Sequence, residues 1–136
     1  MTIQENVTGL QHLGIPAVNL EESIRWYTEV LGFENIEDKV IPDRCHAAFL
    51  KKGNLVLEIY QEDEEAIREV ASRNHGHIDH LALNVTDVKA AFEEMKKTGC
   101  TMLDTEIQSL PFFENGVAWF TVLGPSGEKV EFNQFL

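Results

Sequence analysis

The sequence predicts an α+β fold in which two tandem βαβββ modules form a curved, cup-shaped mixed sheet. The main observation is an internal repeat, because a short strand-like segment that begins with His occurs at residues 12–15 and again at 80–83. Each copy continues with a helix-like segment and then with three strand-like segments. The last strand of each copy carries one isolated carboxylate, Glu58 or Glu131. Such a repeat means that one supersecondary unit is used twice.

Module one is predicted over residues 9–60. Its first strand alternates, because Leu13 and Ile15 point to one face while His12 points to the other. Asn19 is typical of a helix N-cap, and the helix is expected to end at Gly32. The remaining strands are predicted at residues 33–39, 45–51 and 54–60, with a hairpin turn at 52–54.

A linker helix is predicted over residues 61–74, since charged pairs such as Glu64 with Arg68 are four residues apart and one face is apolar. Module two is predicted over residues 76–135. Its helix begins after the cap Asp87 and ends at Gly99. Its later strands are predicted at residues 101–107, 116–123 and 128–135. The 136 residues are long enough for a single domain, predicted over 1–136.

The charge of the chain argues against nucleic acid as a partner. Lys and Arg number 11 against 23 Asp and Glu, and the resulting net charge of −12 repels phosphate backbones. No apolar segment reaches membrane-spanning length and no signal peptide is recognisable, so we expect no membrane partner and a cytoplasmic location. Cys45 and Cys100 lack a metal-type or redox spacing and are expected to be buried free thiols.

Two His and two Glu are the candidate functional residues. Glu58, Glu131 and His80 each alternate with apolar neighbours, and so project from the face opposite the predicted core. Any one of them alone would be read as a solvent-facing or hydrogen-bonded residue. Four at corresponding places of a repeat favour one metal site instead. Imidazole and carboxylate together suit one divalent ion, namely Zn, Ni, Co, Fe or Mn.

The chain resembles the vicinal oxygen chelate superfamily, the fold of glyoxalase I, bleomycin resistance proteins and ring-cleaving dioxygenases. The resemblance extends from Gly9 to Gln134 and is carried by three segments, residues 26–33 (WYTEVLGF), 76–83 (GHIDHLAL) and 124–131 (GPSGEKVE). It implies that His12, Glu58, His80 and Glu131 match the metal set of glyoxalase I-like members. It also nominates Glu131 as the catalytic proton shuttle, with Glu58 as the alternative.

The function that this resemblance implies is a divalent-metal-dependent lyase or isomerase of glyoxalase I type. Such enzymes act on a small carbonyl compound with neighbouring oxygens, through a metal-bound enediolate. Glutathione-dependent bacterial members usually place Arg and Asn where this chain has Pro16 and Glu62, which argues against glutathione as a cofactor. The partner is then a small-molecule substrate.

Three alternatives remain open. An acyl-thioester epimerase resembling methylmalonyl-CoA epimerase usually has Gln where Glu58 stands. A ring-cleaving iron dioxygenase usually has two His and one Glu. A metal-free binding protein of the bleomycin-resistance kind would not need all four ligand-type residues. Because 136 residues bury little surface alone, we expect a homodimer.

Several further residues are weaker candidates. His46 lies twelve residues before Glu58, as Trp119 lies twelve before Glu131, which predicts that both share the face of their Glu and line the cup. His46 is more simply read as a rim residue. The other weak candidates are His77 as a rival ligand to His80, His75 in a loop, residues 111–113 as an apolar wall or a local cluster, and four arginines (25, 44, 68 and 73) as anion binders.

Overall fold

The computed structural model describes residues 1–136 and divides into two compact units. The first unit contains residues 12–79, and the second contains residues 1–11 together with 80–136. Each unit contains helices and a four-stranded sheet with parallel and antiparallel pairs. The predicted α+β class with two βαβββ modules is therefore confirmed. The prediction of a single domain over residues 1–136 stays a prediction.

The sheet of the first unit has the strand order β2-β3-β4-β1. Its strands are β1 (Val7–Pro16, of which residues 12–16 belong to this unit), β2 (Glu34–Ile41), β3 (Cys45–Lys52) and β4 (Leu55–Gln61). Strands β2, β3 and β4 form an antiparallel meander, whereas β1 lies parallel to β4. A parallel pair requires a crossover, and the intervening helix and strands provide it.

Helix α2 (Leu20–Arg25) continues as a π-helical segment, Trp26–Val30, and helix α3 spans Glu64–Ala71. Helix α3 lies inside residues 61–74, the range predicted for a linker helix, and Arg73 just after it pairs with Glu69 at 2.8 Å. One face of the sheet forms the apolar core of the unit. Its buried members are Ala17, Leu20, Ala48, Leu50, Leu57 and Ile59.

The second unit repeats this plan with the strand order β6-β7-β8-β5. Its elements are α1 (Ile3–Asn6), β5 (His80–Val85), α4 (Val88–Lys97), β6 (Gln108–Leu110), β7 (Val117–Leu123) and β8 (Lys129–Phe135). Strand β5 lies parallel to β8, as β1 does to β4. The core is built on Phe120, which stacks on Phe132 at 5.0 Å and meets Phe92 edge to face at 5.1 Å.

The N-terminal residues are attached to the second unit through Asn6, which is fully buried. Its Oδ1 accepts hydrogen bonds from the backbone N–H groups of Thr86 and Asp87, at 2.7 and 2.8 Å. Its Nδ2 donates to the Asp87 carbonyl at 2.6 Å. These bonds satisfy all the polar atoms of a buried amide, which would otherwise destabilise the fold.

The helix caps predicted from the repeat are present in both units. Asn19 accepts from the Glu22 N–H at 3.1 Å and Asp87 accepts from the Ala90 N–H at 3.0 Å. A second repeated contact was not predicted. The Gln61 side chain accepts from the Leu20 N–H at 2.8 Å, and in the second unit the Gln134 side chain accepts from the Val88 N–H at 2.9 Å.

These two glutamines therefore join the last strand of each module to the start of its helix, because each accepts from the first N–H of that helix. The sequence carries a signal for this contact. Each Gln stands three residues after the repeated Glu, at 58 and 131.

The predicted strand at residues 101–107 is wrong. Only Met102 forms an isolated bridge, to Val122, and the strand proper is the short β6. The reason is Asp104, whose carboxylate accepts the Thr121 N–H at 2.8 Å in place of a backbone carbonyl. A side chain that takes a ladder partner interrupts the regular pairing of strands.

We expect Phe120→Ala to lower the free energy of unfolding by about 3–5 kcal/mol, because Phe120 is fully buried between two aromatic rings and its loss leaves a cavity. Urea denaturation followed by circular dichroism measures this. Phe135→Ala is the matched control, since Phe135 is 49% exposed, and it should cost about 1 kcal/mol. Equal losses in the two variants would contradict this account of the core.

Candidate functional site

The first His/Glu pair lies on the face of the first-unit sheet opposite the apolar core. The parallel register of β1 and β4 places Gly14 beside Glu58, so His12 stands two residues before the partner of Glu58. His12 Nε2 and Glu58 Oε1 are 3.7 Å apart, and His12 is almost fully buried. Phe49 packs edge to face on the imidazole at 5.6 Å, which helps to hold the ring orientation.

The second pair has the same arrangement in the second unit. The register of β5 and β8 places Ala82 beside Glu131, so His80 again stands two residues before the partner of the carboxylate. His80 Nε2 and Glu131 Oε1 are also 3.7 Å apart. The predicted alternation of faces holds at Leu83 and Val85, which pack in the core, whereas Leu81 at the strand end is exposed.

The spacing within each pair suits two metal ligands better than a hydrogen bond. At 3.7 Å the imidazole nitrogen and carboxylate oxygen are too far apart for a hydrogen bond. Two ligands bound about 2.1 Å from one ion at a tetrahedral angle are about 3.4 Å apart. The donor set of imidazole nitrogen and carboxylate oxygen also fits borderline divalent ions. The residues of each pair therefore fit a metal.

The surroundings of Glu131 include a contact that the sequence analysis missed. Asn133 lies two residues farther along β8, is buried, and donates from Nδ2 to Glu131 Oε2 at 3.0 Å. One carboxylate oxygen is thus held by an amide, while the other faces His80. The sequence carries a signal for this contact, because Asn133 is the second polar residue, after Glu131, on the same face of the last strand.

The surroundings of Glu58 are different. Tyr60 takes the place that Asn133 has in the second unit, and its hydroxyl donates to the Asp79 carboxylate. Burial raises the pKa of the Tyr60 phenol well above its ordinary value, and the negative charges of Asp79 and Glu58 raise it further. Tyr60 is therefore a neutral hydrogen-bond donor.

Both cysteines are free and half-buried, which confirms the free thiols but not their complete burial. Burial raises the pKa of the Cys45 thiol, and the Glu58 charge raises it further. A raised pKa keeps sulfur in the thiol form, which is a weak nucleophile and a poor metal ligand.

The predicted position of His46 is wrong. The β3–β4 register pairs His46 with Gln61 and Phe49 with Glu58, so His46 points to the face of Leu50 and Leu57. The reason is the two-residue hairpin loop after Lys52. With a loop of this length, residues that are twelve apart across the hairpin project to opposite faces of the sheet, whereas the prediction placed them on the same face. His46 is bound to Asp38 instead, with 2.6 Å between Nε2 and Oδ1.

Trp119 is placed as predicted. The β7–β8 hairpin has a five-residue loop, from 124 to 128, and its register pairs Trp119 with Asn133 and Thr121 with Glu131. Residues opposite each other in an antiparallel pair project to the same face. Trp119 therefore shares the face of Glu131.

The structure also shows where the weaker candidate residues lie. His77 is exposed, and its Nε2 lies 3.1 Å from the Arg73 carbonyl. His75 is in the loop before β5, as predicted. In the 111–113 segment Phe112 is buried, and Phe113 contacts Phe135 edge to face at 5.2 Å. Of the two predicted alternatives, this arrangement is the local cluster and not the apolar wall.

A cleft of about 420 Å³ lies elsewhere on the first unit. It is lined by residues of the β1–α2 connection, by the half-exposed Trp26 and by Val70, and neither His12 nor Glu58 lines it.

None of the helices in the structure combines the length and the apolar character that crossing a membrane requires.

We expect Tyr60 to stay protonated at pH 11, above the ordinary tyrosine pKa of about 10. The chain has two tyrosines, so Tyr27→Phe leaves Tyr60 as the only phenol. Its absorbance near 295 nm should appear only when the protein unfolds. Because the folded pKa is raised, the stability that Tyr60 contributes is complete below the unfolded pKa and falls as the pH rises above it. Ionisation of folded Tyr27→Phe near pH 10 would contradict the prediction.

Comparison by sequence finds an uncharacterized bacterial protein and a methylmalonyl-CoA epimerase among the similar proteins. By sequence, the chain is 31% identical over 128 residues to the uncharacterized protein YwbC of Bacillus subtilis, with 92% of this chain and 96% of that protein covered. It is 23% identical over 107 residues to the mitochondrial methylmalonyl-CoA epimerase of Homo sapiens, with 76% of this chain and 61% of that protein covered.

Solved structures share the fold. Methylmalonyl-CoA epimerase from Mycobacterium tuberculosis has a TM-score of 0.77 at 22% identity, with 96% of this chain and 89% of that chain covered. A variant of the Streptomyces coelicolor epimerase, in complex with 2-nitronate-propionyl-CoA, has a TM-score of 0.77 at 21% identity, with coverage of 94% and 97%. The family model of the Glyoxalase/Bleomycin resistance protein/Dioxygenase superfamily matches residues 9–132. With the repeated His/Glu strands in place, the chain belongs to this superfamily.

Proposed function

We propose that this protein is a divalent-metal-dependent isomerase that moves a proton at the carbon next to a carbonyl, and that it epimerises 2-substituted acyl thioesters. The observation that carries the proposal is the His/Glu pair found twice, in the same register and at 3.7 Å each time. The substrate class is supported by the methylmalonyl-CoA epimerases among its relatives. The resemblance by itself favours a glyoxalase I-type reaction, with this epimerase as the alternative.

The proposed ligands of one metal ion are His12, Glu58, His80 and Glu131. A bound divalent cation would supply the positive charge that lowers the cost of removing a proton next to a carbonyl. In this proposal His12 and His80 act only as ligands. Glu131 takes the proton and returns it, with Glu58 as the alternative carrier.

A glyoxalase I-type lyase is the second candidate, and Glu58 is the observation that favours it. Two carboxylate ligands cancel the charge of a divalent ion, whereas the Gln usual in epimerases would leave a net positive charge. A neutral centre is better suited to a neutral hemithioacetal than to an acyl thioester with its own carboxylate. The predicted homodimer and cytoplasmic location remain parts of the proposal without a test in the structure.

We expect the purified protein to bind one divalent ion per chain, and His80→Ala to lose most of it, because neither Leu81 nor Ala82 can replace an imidazole. Metal analysis after dialysis against Zn²⁺, Ni²⁺ or Co²⁺ measures this. His46→Ala is the control, since His46 is held by Asp38 on the core face and should keep the full content. Full binding by His80→Ala together with loss in His77→Ala would move the site to His77. A protein that binds no metal would instead be a binding module of the bleomycin-resistance kind.

We expect the metal-loaded protein to incorporate deuterium from D₂O at C2 of methylmalonyl-CoA, without oxygen uptake. Mass spectrometry of the recovered thioester measures the exchange, and a hemithioacetal and a keto sugar complete the panel. Exchange into the hemithioacetal alone would favour the glyoxalase I-type reaction. Oxygen uptake with ring cleavage of a catechol would identify a dioxygenase.

The same exchange assay separates the two carboxylates. Glu131→Gln keeps an oxygen donor but removes the base, so the exchange rate should fall by about a hundredfold or more while some metal is retained. Glu58→Gln is the matched variant and should be milder. The reverse order would assign the proton to Glu58. Equal losses that follow the metal content would mean that neither carboxylate carries it.

A further inference from the structure

The second unit contains a buried chain of amide side chains that ends on Glu131. Gln11 Nε2 donates to Asn133 Oδ1 at 3.1 Å, and Asn133 Nδ2 donates to Glu131 Oε2 at 3.0 Å. Gln11 Nε2 also lies 3.2 Å from Asn84 Oδ1, and Asn84 Nδ2 donates to Thr8 Oγ1 at 2.8 Å. Gln11, Asn133 and Glu131 are each at most 9% exposed.

The direction of these hydrogen bonds follows from the Asn133 backbone carbonyl, which can only accept and lies 3.2 Å from Gln11 Nε2. Gln11 presents its NH₂ group to Asn133, so Asn133 must turn its oxygen toward Gln11 and its own NH₂ toward Glu131. Turning the Asn133 amide over would place oxygen against oxygen at the carboxylate and nitrogen against nitrogen at Gln11. Such contacts are costly in a buried site.

The consequence for Glu131 is a single orientation. Its Oε2 is held by Asn133, and this leaves Oε1 directed at His80 Nε2, 3.7 Å away. The equivalent position in the first unit is Tyr60, which donates to Asp79. The two repeated pairs thus have the same ligand-type residues but different supporting residues.

We infer that Asn133, oriented by Gln11, is a positioning residue that makes Glu131 rather than Glu58 the proton carrier. This inference deepens the proposed function and rests on it. A carboxylate that transfers a proton must keep one oxygen aligned with the reacting carbon through the whole reaction. A buried amide donor on the other oxygen provides that alignment, and residues that hold a metal ligand by a hydrogen bond contribute about 10–100-fold to affinity or activity.

The first test is the hydrogen bond itself, in the metal-free protein and without substrate. The side-chain NH₂ protons of Asn133 should exchange with solvent at least about tenfold more slowly than those of the exposed Asn74, by ¹⁵N-edited NMR. Their resonances should move in Glu131→Gln. Exchange as fast as that of Asn74 would overturn the inference, whatever the outcome for the proposed reaction.

The second test is kinetic. Asn133→Leu, which has a similar volume and no donor, should lower kcat for deuterium exchange by about 10–100-fold with KM within about twofold. Gln11→Leu should give a smaller loss of the same kind. Gln134→Leu is the matched control, because Gln134 is the neighbour in β8 but caps α4 through Val88, and it should keep kcat.

Two further variants separate positioning from a general effect on the fold. In the Glu131→Gln background Asn133→Leu should have no additional effect, because Asn133 acts through Glu131. Asn133→Asp, which has the same size, should be as slow as Asn133→Leu, so poor folding of the leucine variant does not remove the test. A full kcat in either, or additive losses in the double variant, would overturn the inference. If the wild-type protein binds metal but exchanges no thioester proton, the proposed function fails, and the NMR result still decides whether Asn133 holds the Glu131 carboxylate.

Discussion

The parallel pairing of the first and last strands in each module is the constraint on which the candidate site depends. Strand β1 lies beside β4 and β5 beside β8, and in both pairs the His stands two residues before the partner of the Glu. Parallel neighbours need a long crossover, and each module uses its helix and two further strands for this purpose. A slip of one residue would move the carboxylate to the core face. The apolar residues that alternate with it therefore determine the register and, through it, the 3.7 Å spacing.

The contacts between the last strand and the helix of each module are also repeated. Gln61 and Gln134 each connect the last strand of a module to the first N–H of its helix. Asn19 and Asp87 cap the same helices by accepting from the N–H of the third helical residue. The start of the helix and the end of the last strand, which carries the Glu, are thus connected in the same way in both units, although few residues are identical. Hydrogen bonds of this kind give acceptors to N–H groups of the first helical turn, which have no partner within the helix.

The two modules differ in the residues that surround the pair. A two-residue hairpin in the first unit turns His46 to the core face, whereas a five-residue hairpin in the second leaves Trp119 on the face of Glu131. Glu58 lies near the neutral donor Tyr60, while Glu131 accepts a hydrogen bond from Asn133. Duplication therefore preserved the ligand-type residues while the supporting residues diverged.

The sequence by itself determined the two βαβββ modules, the helix caps and the four candidate ligands, because each depends on local periodicity and on a repeat that can be read directly. It did not determine the side of the sheet on which His46 lies, since that depends on the number of residues in one hairpin loop. It also placed a strand at 101–107, where Asp104 takes the bond that a strand would need. The chain of Gln11, Asn133 and Glu131 was beyond prediction for a physical reason. Its members are up to 122 residues apart in sequence, and only the folded sheet brings their side chains into hydrogen-bond distance.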